Sequence, residues 1–518
     1  MTFFKKNFWL FAIFFLALFL RVYHIQSTPP GIYPDEAVNG IDALKAYKTN
    51  HYQLFYPDNN GREGLYINII ALFFKLFGVS VFTLKSASIL FGTLTVLSVY
   101  LLTKELFQNP KMGLISSFLV AVSFWAINFS RISFRASMIP FLLAISFYFL
   151  FKGLRTKKWI NFAAGGFLFG LGLHTYIAFR VAPLILIAMF FVLIISRESF
   201  LRKYWKFILV FLFFAIISAG PMFYTFFVSH PEYWESRTAN ISILNPEVNQ
   251  GHLLKTFAKT FSLSLLKYNF WGDQNWRHNF PPYAILDPLT GIAFLFGFIY
   301  SCLSFFRLLF LRLKRKERPR YLEIYAFLLS FFFIMLIPEF MALEGSPHAL
   351  RAIGTLPVVF IFSALTFNFF FQKFINNNSI LRKITASFII VCLVFIGIFN
   401  SLKYHFVWAK KVETAHSFDK EIMDISQYLK TLPEQKEKFV IAKSMERIPI
   451  QLFNNNQPNV FYFYPEQIKD IDPVDEKNFI IILSEKNDST MAEIQKKFPQ
   501  LRIEEKKDNF GISFYVFR

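Results

Sequence analysis

A chain of 518 residues that is 54% hydrophobic and holds 72 phenylalanines has too much apolar surface for a soluble globule, and its mean hydropathy of +0.40 points to a membrane. The formal charge of +21 does not argue for nucleic acid, because most of the excess lies in short clusters between apolar runs, such as Lys152, Arg155, Lys157 and Lys158. The two cysteines, Cys302 and Cys392, both fall in apolar runs and leave no disulfide framework and no obvious nucleophilic thiol.

The N-terminus (MTFFKKNFWLFAIFFLALFLRVY) has Lys5 and Lys6 before an apolar stretch but no small-x-small cleavage pattern, so it reads as an uncleaved first helix. Crossing a bilayer takes about 20 apolar residues. Candidate spans are 8–23, 82–102, 112–129, 137–152, 159–176, 179–196, 206–228, 288–307, 321–338, 350–371 and 383–401. With Lys5 and Lys6 inside, alternation puts 103–111, 153–158, 197–205, 308–320 and 372–382 in the cytoplasm, and each of those loops is basic. The expectation is an α-helical polytopic membrane protein of eleven spans, N-terminus cytoplasmic and C-terminus extracytoplasmic, in the cell membrane. Residues 65–77 (LYINIIALFFKLF) are apolar but short and contain Lys75. Crossing there would reverse every later loop, so they read as an interfacial or re-entrant helix.

The loops on the outer side hold the polar motifs. The first begins GIYPDEAVNGIDAL, where Pro34 suits a helix start and Asp35 and Glu36 fall in its first turn. Capping is the structural reading of that pair, and catalysis is the functional one. Next come Arg62 and Glu63, with Arg62 either snorkelling at the interface or binding phosphate. Arg131 and Arg135 (SRISFRASM) sit where a span reaches the outer face, against the positive-inside tendency; lipid-phosphate binding or pairing with Asp35 or Glu36 would each explain them. His174 and Arg180 flank a later outer turn.

The loop WGDQNWRHNFPPYAILDPLTG gathers Asp273, Arg277 and His278 among aromatics, as a lid or an acceptor-binding loop. In PEFMALEGSPHALRAIG, Glu339 and Glu344 precede His348 and Arg351, whose spacing of three predicts one face of the helix that opens the next span. From about 403 the pattern changes to helix (417–431, 489–498) and strand (438–442, 478–483, 512–517). It predicts a small extracytoplasmic α/β domain of about 115 residues, 403–518, behind a membrane domain, 1–402. No Walker-type loop, Rossmann fingerprint or HExxH motif is present, and no Cys/His cluster shows metal spacing along the chain.

YPDEAVNGIDAL after a first span, followed by GREGLYINIIALFFKLFG, resembles the start of the protein O-mannosyltransferase and aminoarabinose-transferase group, phospholipid carrier-dependent, family-39-like glycosyltransferases of the GT-C fold. The resemblance covers about residues 1–400. It implies a polyprenyl-phosphate sugar donor, transfer of a hexosyl or pentosyl group with inversion and an extracytoplasmic site. It also implies Asp35 as the catalytic base with Glu36 beside it. SRISFRASM departs from the aminoarabinose transferases, which have an acidic residue in that region. A lipid phosphate needs cations rather than a general acid as it leaves, and Arg62, Arg131, Arg135, His348 and Arg351 are the candidates. Glu63, Asp273, Arg277, His278 and Glu344 are expected to serve the substrate loops. The scheme requires no metal, although a divalent cation on Asp35 and Glu36 would be compatible with it. The acceptor is open between protein, lipid and glycan. A membrane transporter, or a polymerase or ligase of lipid-linked polysaccharide, are the rival classes. Charges gathered at one face and the lack of an internal repeat speak against a transporter, and the acidic pair straight after span one against a polymerase or ligase.

Overall fold

The computed structural model describes residues 2–234, 240–315, 321–375, 379–475 and 478–518. The side chains of Lys5 and Lys6, and parts of two basic loops (316–320 and 376–378), lie outside the described residues.

Helices dominate the first four hundred residues. They are α1 (Thr2–Val22), α2 (Pro34–Thr49), α3 (Gly64–Phe77), α4 (Val81–Phe107), α5 (Pro110–Val122), α6 (Phe124–Phe129), α7 (Ile139–Thr156) and α8 (Trp159–Leu171). Then follow α9 (Pro183–Ser196), α10 (Phe200–Tyr224), α11 (Leu253–Leu266), α12 (Pro288–Arg315), α13 (Leu322–Phe340), α14 (Leu356–Ile375) and α15 (Ser379–Leu402). Prolines 34, 110, 183 and 288 open helices, as a residue without an N–H should. Asn109 caps α5 by accepting from the Lys111 and Met112 amides, and Asp287 accepts from the Thr290 amide at the start of α12.

All eleven expected spans are helical. Among the described residues eight helices are long and apolar enough to cross a membrane. Of the other three, α5 with α6 is interrupted at Ser123, α8 passes into a 3-10 turn at Gly172, and α1 is an unbroken helix whose side chains are described from Asn7. The 65–77 stretch is the single 14-residue helix α3, shorter than a full span. Glycines let helices close on one another. A Cβ on Gly166 would lie 2.1 Å from the Phe211 carbonyl oxygen, and one on Gly297 1.9 Å from that of Phe362, so α8 meets α10 and α12 meets α14 with backbones nearly touching.

The chain divides into two compact units. One comprises Met1–Tyr23, Gln53–Tyr66 and Ser88–Tyr404; the other comprises His24–Tyr52, Ile67–Ala87 and His405–Arg518. The second unit therefore takes in α2 and most of α3, which a single break at residue 402 would leave in the membrane domain. The reason is packing within that unit. Gly40 of α2 lies so close to Leu452 that a Cβ would be 2.4 Å from its Cδ2, and Lys48 Nζ donates to Asn455 Oδ1 at 3.1 Å.

In the second unit the C-terminal segment contains α16 (Lys420–Thr431), β3 (Glu437–Ile441), α17 (Ser444–Phe453), β4 (Val460–Phe463) and β5 (Phe479–Leu483). It ends with α18 (Asp488–Lys497), β6 (Ile503–Lys507) and β7 (Ser513–Phe517). A two-residue hairpin pair, β1 (Phe55–Tyr56) and β2 (Arg62–Glu63), belongs to the first unit. The sheet order is β4-β3-β5-β7-β6, with β4, β3 and β5 parallel and β7 antiparallel to both β5 and β6.

Both sheet faces are buried. Phe439, Ile441, Ile481 and Phe517 face Ile494 and Phe498, whereas Val440, Ile480, Ile482 and Val516 face Ile422, Ile425 and Ile450. That explains the unbroken apolar run FIIIL. Among the elements that sequence patterning missed in this domain are α17, β4 and β6. α17 contains Pro449, β4 is only four residues long, and β6 (IEEKK) is an edge strand rich in charge.

Candidate active site

The polar motifs between α10 and α14 come together within the first unit. Asp273, buried, is the hub. Its Oδ2 accepts from the Ala349 amide at 2.7 Å and from His278 Nδ1 at 3.0 Å, and its Oδ1 accepts from the Asn275 amide at 2.8 Å. One carboxylate thus ties the WGDQNWRH loop to the EGSPHALR loop. Glu339 makes the second tie, accepting from the His348 amide at 3.0 Å while its other oxygen pairs with the buried Lys267 ammonium.

These carboxylates also correct one sequence expectation. His348 and Arg351 do not share a face of the next helix, because His348 is in irregular backbone, residues 349–352 form turns, a 3-10 turn occupies Ile353–Thr355, and α14 begins at Leu356. Amides that would start that helix are claimed by Glu339 and Asp273. His348 consequently packs on His278, ring centroids 4.6 Å apart, while Arg351 turns to Glu344, Nη2 to Oε2 2.9 Å.

His348 Nδ1 is a buried atom without a hydrogen-bond partner among the described residues. Burial, reinforced by His278, Arg351, Arg277 and Lys267, holds the His348 imidazole well below its ordinary range, so it is neutral near pH 7. The carboxylate of Asp273 orients His278 through Nδ1. Ligand atoms of Asp273, His278 and His348 lie within 4.8 Å of one another, a set able to hold a metal ion after a modest contraction. Linear spacing hid this cluster, since His348 is far along the chain from the other two.

Beside these loops lies a cavity of about 550 Å3. Arg351, Arg180 and Glu344 supply its charges, Asn60, Tyr176 and Ser242 are among its polar groups, and Ile177, Val181, Ile337 and Met341 give it an apolar wall. Arg180 is fixed there: its Nη1 donates to the Trp234 carbonyl at 2.7 Å, and its guanidinium lies 4.4 Å from the ring centroids of both Phe226 and Trp234. Glu63 and Arg135 form a buried pair at 3.1 Å, with the Arg135 guanidinium over the Tyr176 ring at 5.8 Å. The neighbouring turn needs Gly61, at φ +76°, where a Cβ would meet the Phe55 ring at 2.5 Å.

The remaining candidates are placed as follows. Arg62 is buried, its Nε donating to the Asp58 carbonyl at 3.1 Å. Arg131 is buried too, with Nη1 donating to the Leu20 carbonyl at 2.9 Å and its guanidinium over Tyr404, which ties a turn after α6 to α1 and to the turn that follows α15. Arg277 binds the Asn275 side chain, and its carbonyl accepts from Asn128 Nδ2 at 2.7 Å. His174 Nε2 donates to the Ser218 carbonyl at 2.8 Å. In the second unit, Glu36 is fully buried and accepts from the Tyr33 amide at 3.3 Å as a helix cap, and Asp35 is half-buried beside it in the first turn of α2. The cavity's contributions from Asn60 and Tyr176 had no signal in the sequence, and Arg180 stood out there only as an outward arginine.

The architecture is that of the GT-C glycosyltransferases, a helical membrane bundle with a small C-terminal sheet domain. A family model described as dolichyl-phosphate-mannose-protein mannosyltransferase matches residues 65–222, less than half of the chain. The structure is similar to ArnT from Cupriavidus metallidurans bound to undecaprenyl phosphate, at TM-score 0.57 and 10% identity, covering 99% of this chain and 98% of that one. It is also similar to the oligosaccharyltransferase AglB from Archaeoglobus fulgidus in complex with an inhibitory peptide and a dolichol-phosphate, at TM-score 0.52 and 15% identity, covering 99% and 74%. No curated protein matches the sequence significantly. Together these findings support a multi-pass membrane glycosyltransferase of the GT-C fold.

Proposed function

We propose that this protein transfers a hexosyl or pentosyl group from a polyprenyl-phosphate donor to an acceptor hydroxyl on the outer face of the cell membrane, with inversion. The observation that supports this most is the cavity whose arginines, Arg351 and Arg180, stand beside an apolar wall. A lipid phosphate needs that combination, with cations for the headgroup and hydrocarbon for the first isoprene units.

Asp35 is the proposed base. It accepts the proton of the acceptor hydroxyl as that oxygen attacks the anomeric carbon. The bond from that carbon to the phosphate oxygen breaks, and its electron pair leaves on the phosphate, where the arginines hold the charge. Glu36 caps α2 and fixes the turn that presents Asp35. Asp273 and Glu339 hold the loop that presents Arg351. The ArnT and AglB structures contain polyprenyl-type phosphates, which agrees with this donor class. The scheme routes no step through a metal. A divalent cation, if one binds, would fit Asp273, His278 and His348 better than Glu36, which is spent on its cap.

The N-terminus is proposed to be cytoplasmic and the domain after residue 403 extracytoplasmic, which a reporter fused after 403 checks by appearing outside. The enzymatic test is a panel of radiolabelled polyprenyl-phosphate sugars given to the protein in lipid with a mixed acceptor extract. Label leaving the lipid fraction for one donor is the expected result. Retention of label in every donor by folded protein would refute the donor class.

A further inference from the structure

The C-terminal sheet has a second cavity, of about 280 Å3, that the transfer reaction does not use. Its position follows from topology. From β3 the chain runs through α17 to β4 on one side, and it then crosses back to β5 on the other side of β3, from which α18 leads away towards β6 and β7. The connections leaving the adjacent parallel strands β3 and β5 therefore diverge. A crevice opens at their carboxyl ends, where doubly wound sheets bind ligands. The cavity lies there: Ile441 to Ser444 follow β3, Leu483 to Glu485 follow β5, and Tyr464 follows β4.

The lining selects among ligand classes. Lys443 pairs with Glu485 across the crevice. Glu446 Oε2 accepts from the Lys443 amide at 3.1 Å and from Ser484 Oγ at 2.8 Å, so the start of α17 already has its own carboxylate. The start of α18 is likewise closed, by Asn487 accepting from the Thr490 amide at 3.0 Å. One lysine faces three glutamates (Glu446, Glu466 and Glu485), which repels phosphates, nucleotides and carboxylates. Hydroxyl, amide, ammonium and carboxylate groups nevertheless converge there beside the partly exposed Tyr464 ring, which Arg447 covers at 3.6 Å. Mixed donors and acceptors next to an aromatic surface suit a ligand with many hydroxyls and an apolar C–H face. The volume lies near the lower end of roughly 300–1,000 Å3 for drug-sized sites, room for one or two sugar rings.

We propose that this crevice is a saccharide-binding site, separate from the transfer site. α17, whose first turn forms one wall, also packs through Leu452 on α2, the helix that bears Asp35, so the site is built on the element that seats that helix.

The test is direct binding to full-length protein in lipid nanodiscs, followed by saturation-transfer NMR and calorimetry. Probes are methyl glycosides of common hexoses, their disaccharides and, separately, inorganic phosphate. Ser444→Trp fills the crevice from an exposed position, and Tyr464→Ala removes the aromatic wall. At least one saccharide should bind, phosphate should not compete, and each variant should weaken binding about tenfold or more, equivalent to about 1.4 kcal/mol. Binding should persist in Asp35→Asn, which separates this site from the transfer reaction. Absence of binding by any saccharide, equal binding by both variants, or displacement by phosphate would overturn the proposal.

Discussion

Replacing Arg351 by alanine probes the donor cavity most sharply. In the resting structure Arg351 is held by Glu344, Nη2 to Oε2 2.9 Å, but the Glu344 side chain is 70% exposed while that of Arg351 is 12% exposed. A pair open to water on one side is worth about 0–1 kcal/mol, so exchanging Glu344 for a phosphate costs Arg351 little. A charge-assisted hydrogen bond to phosphate contributes about 1.5–3 kcal/mol. Subtracting the resting pair leaves about 0.5–3 kcal/mol, so Arg351→Ala should lower kcat/KM for the lipid donor by about 2- to 150-fold. Steady-state transfer at varied donor and varied acceptor separates the two substrates. The loss should appear with donor, with the KM for acceptor changed less than about twofold. Glu344→Gln serves as the control: it removes the ion pair while the Arg351 Nη1 bond to the carbonyl of residue 344 stays, and it should leave the donor KM equal or lower. Equal losses for donor and acceptor in Arg351→Ala, or none, would make Arg351 a purely structural group.

Three further outcomes follow from the geometry. Asp273→Ala strands the Asn275 and Ala349 amides and His278 Nδ1, at about 1–3 kcal/mol for each buried donor, and thermal unfolding in nanodiscs should show a loss of several kcal/mol; a midpoint equal to wild type would deny Asp273 its place as hub. His348 is kept neutral in the folded protein, whereas the unfolded chain takes up a proton near pH 6.5. Its contribution is therefore present above that pH and lost as pH falls, so the unfolding midpoint should drop between pH 7.5 and 5.5, and drop less in His348→Gln; parallel declines would exclude His348 as the source. Gly166→Val must displace the Phe211 backbone, since its Cβ would lie 2.1 Å from that carbonyl oxygen, and should cost about 1–3 kcal/mol or more. Gly220→Ala, with open space around it, should be neutral or stabilising, and the reverse order of the two would contradict the close approach of α8 and α10.

Much of this fold could be read from residue patterns. Apolar runs gave all the expected spans from 8–23 to 383–401, because length and hydropathy are local quantities, and Pro34 marked the start of α2 for the same reason, but α11 was missed because lysines, threonines and serines break up its apolar residues. What the pattern could not give is where amides go when a distant carboxylate claims them. The spacing of His348 and Arg351 is helical, yet Asp273, 76 residues away, and Glu339, nine residues away, claim the Ala349 and His348 amides, and that segment forms turns instead. Nor could it distinguish kinds of arginine. Arg131 and Arg351 look alike as outward cations in a sequence, but one is spent on the Leu20 carbonyl and the other borders a cavity. Attachment of α2 to the C-terminal domain rests on a glycine and a leucine more than four hundred residues apart, a contact with no local signature.

Transfer itself is the most direct test. Wild-type and Asp35→Asn proteins, shown to be equally folded, would be compared for sugar transfer from the polyprenyl-phosphate donor that the panel identifies. The account predicts transfer by wild type with inverted anomeric configuration in the product, and a loss of at least about a hundredfold in Asp35→Asn, as expected when a general base is removed. Substantial turnover by Asp35→Asn, or retention of configuration, would contradict direct displacement with Asp35 as base.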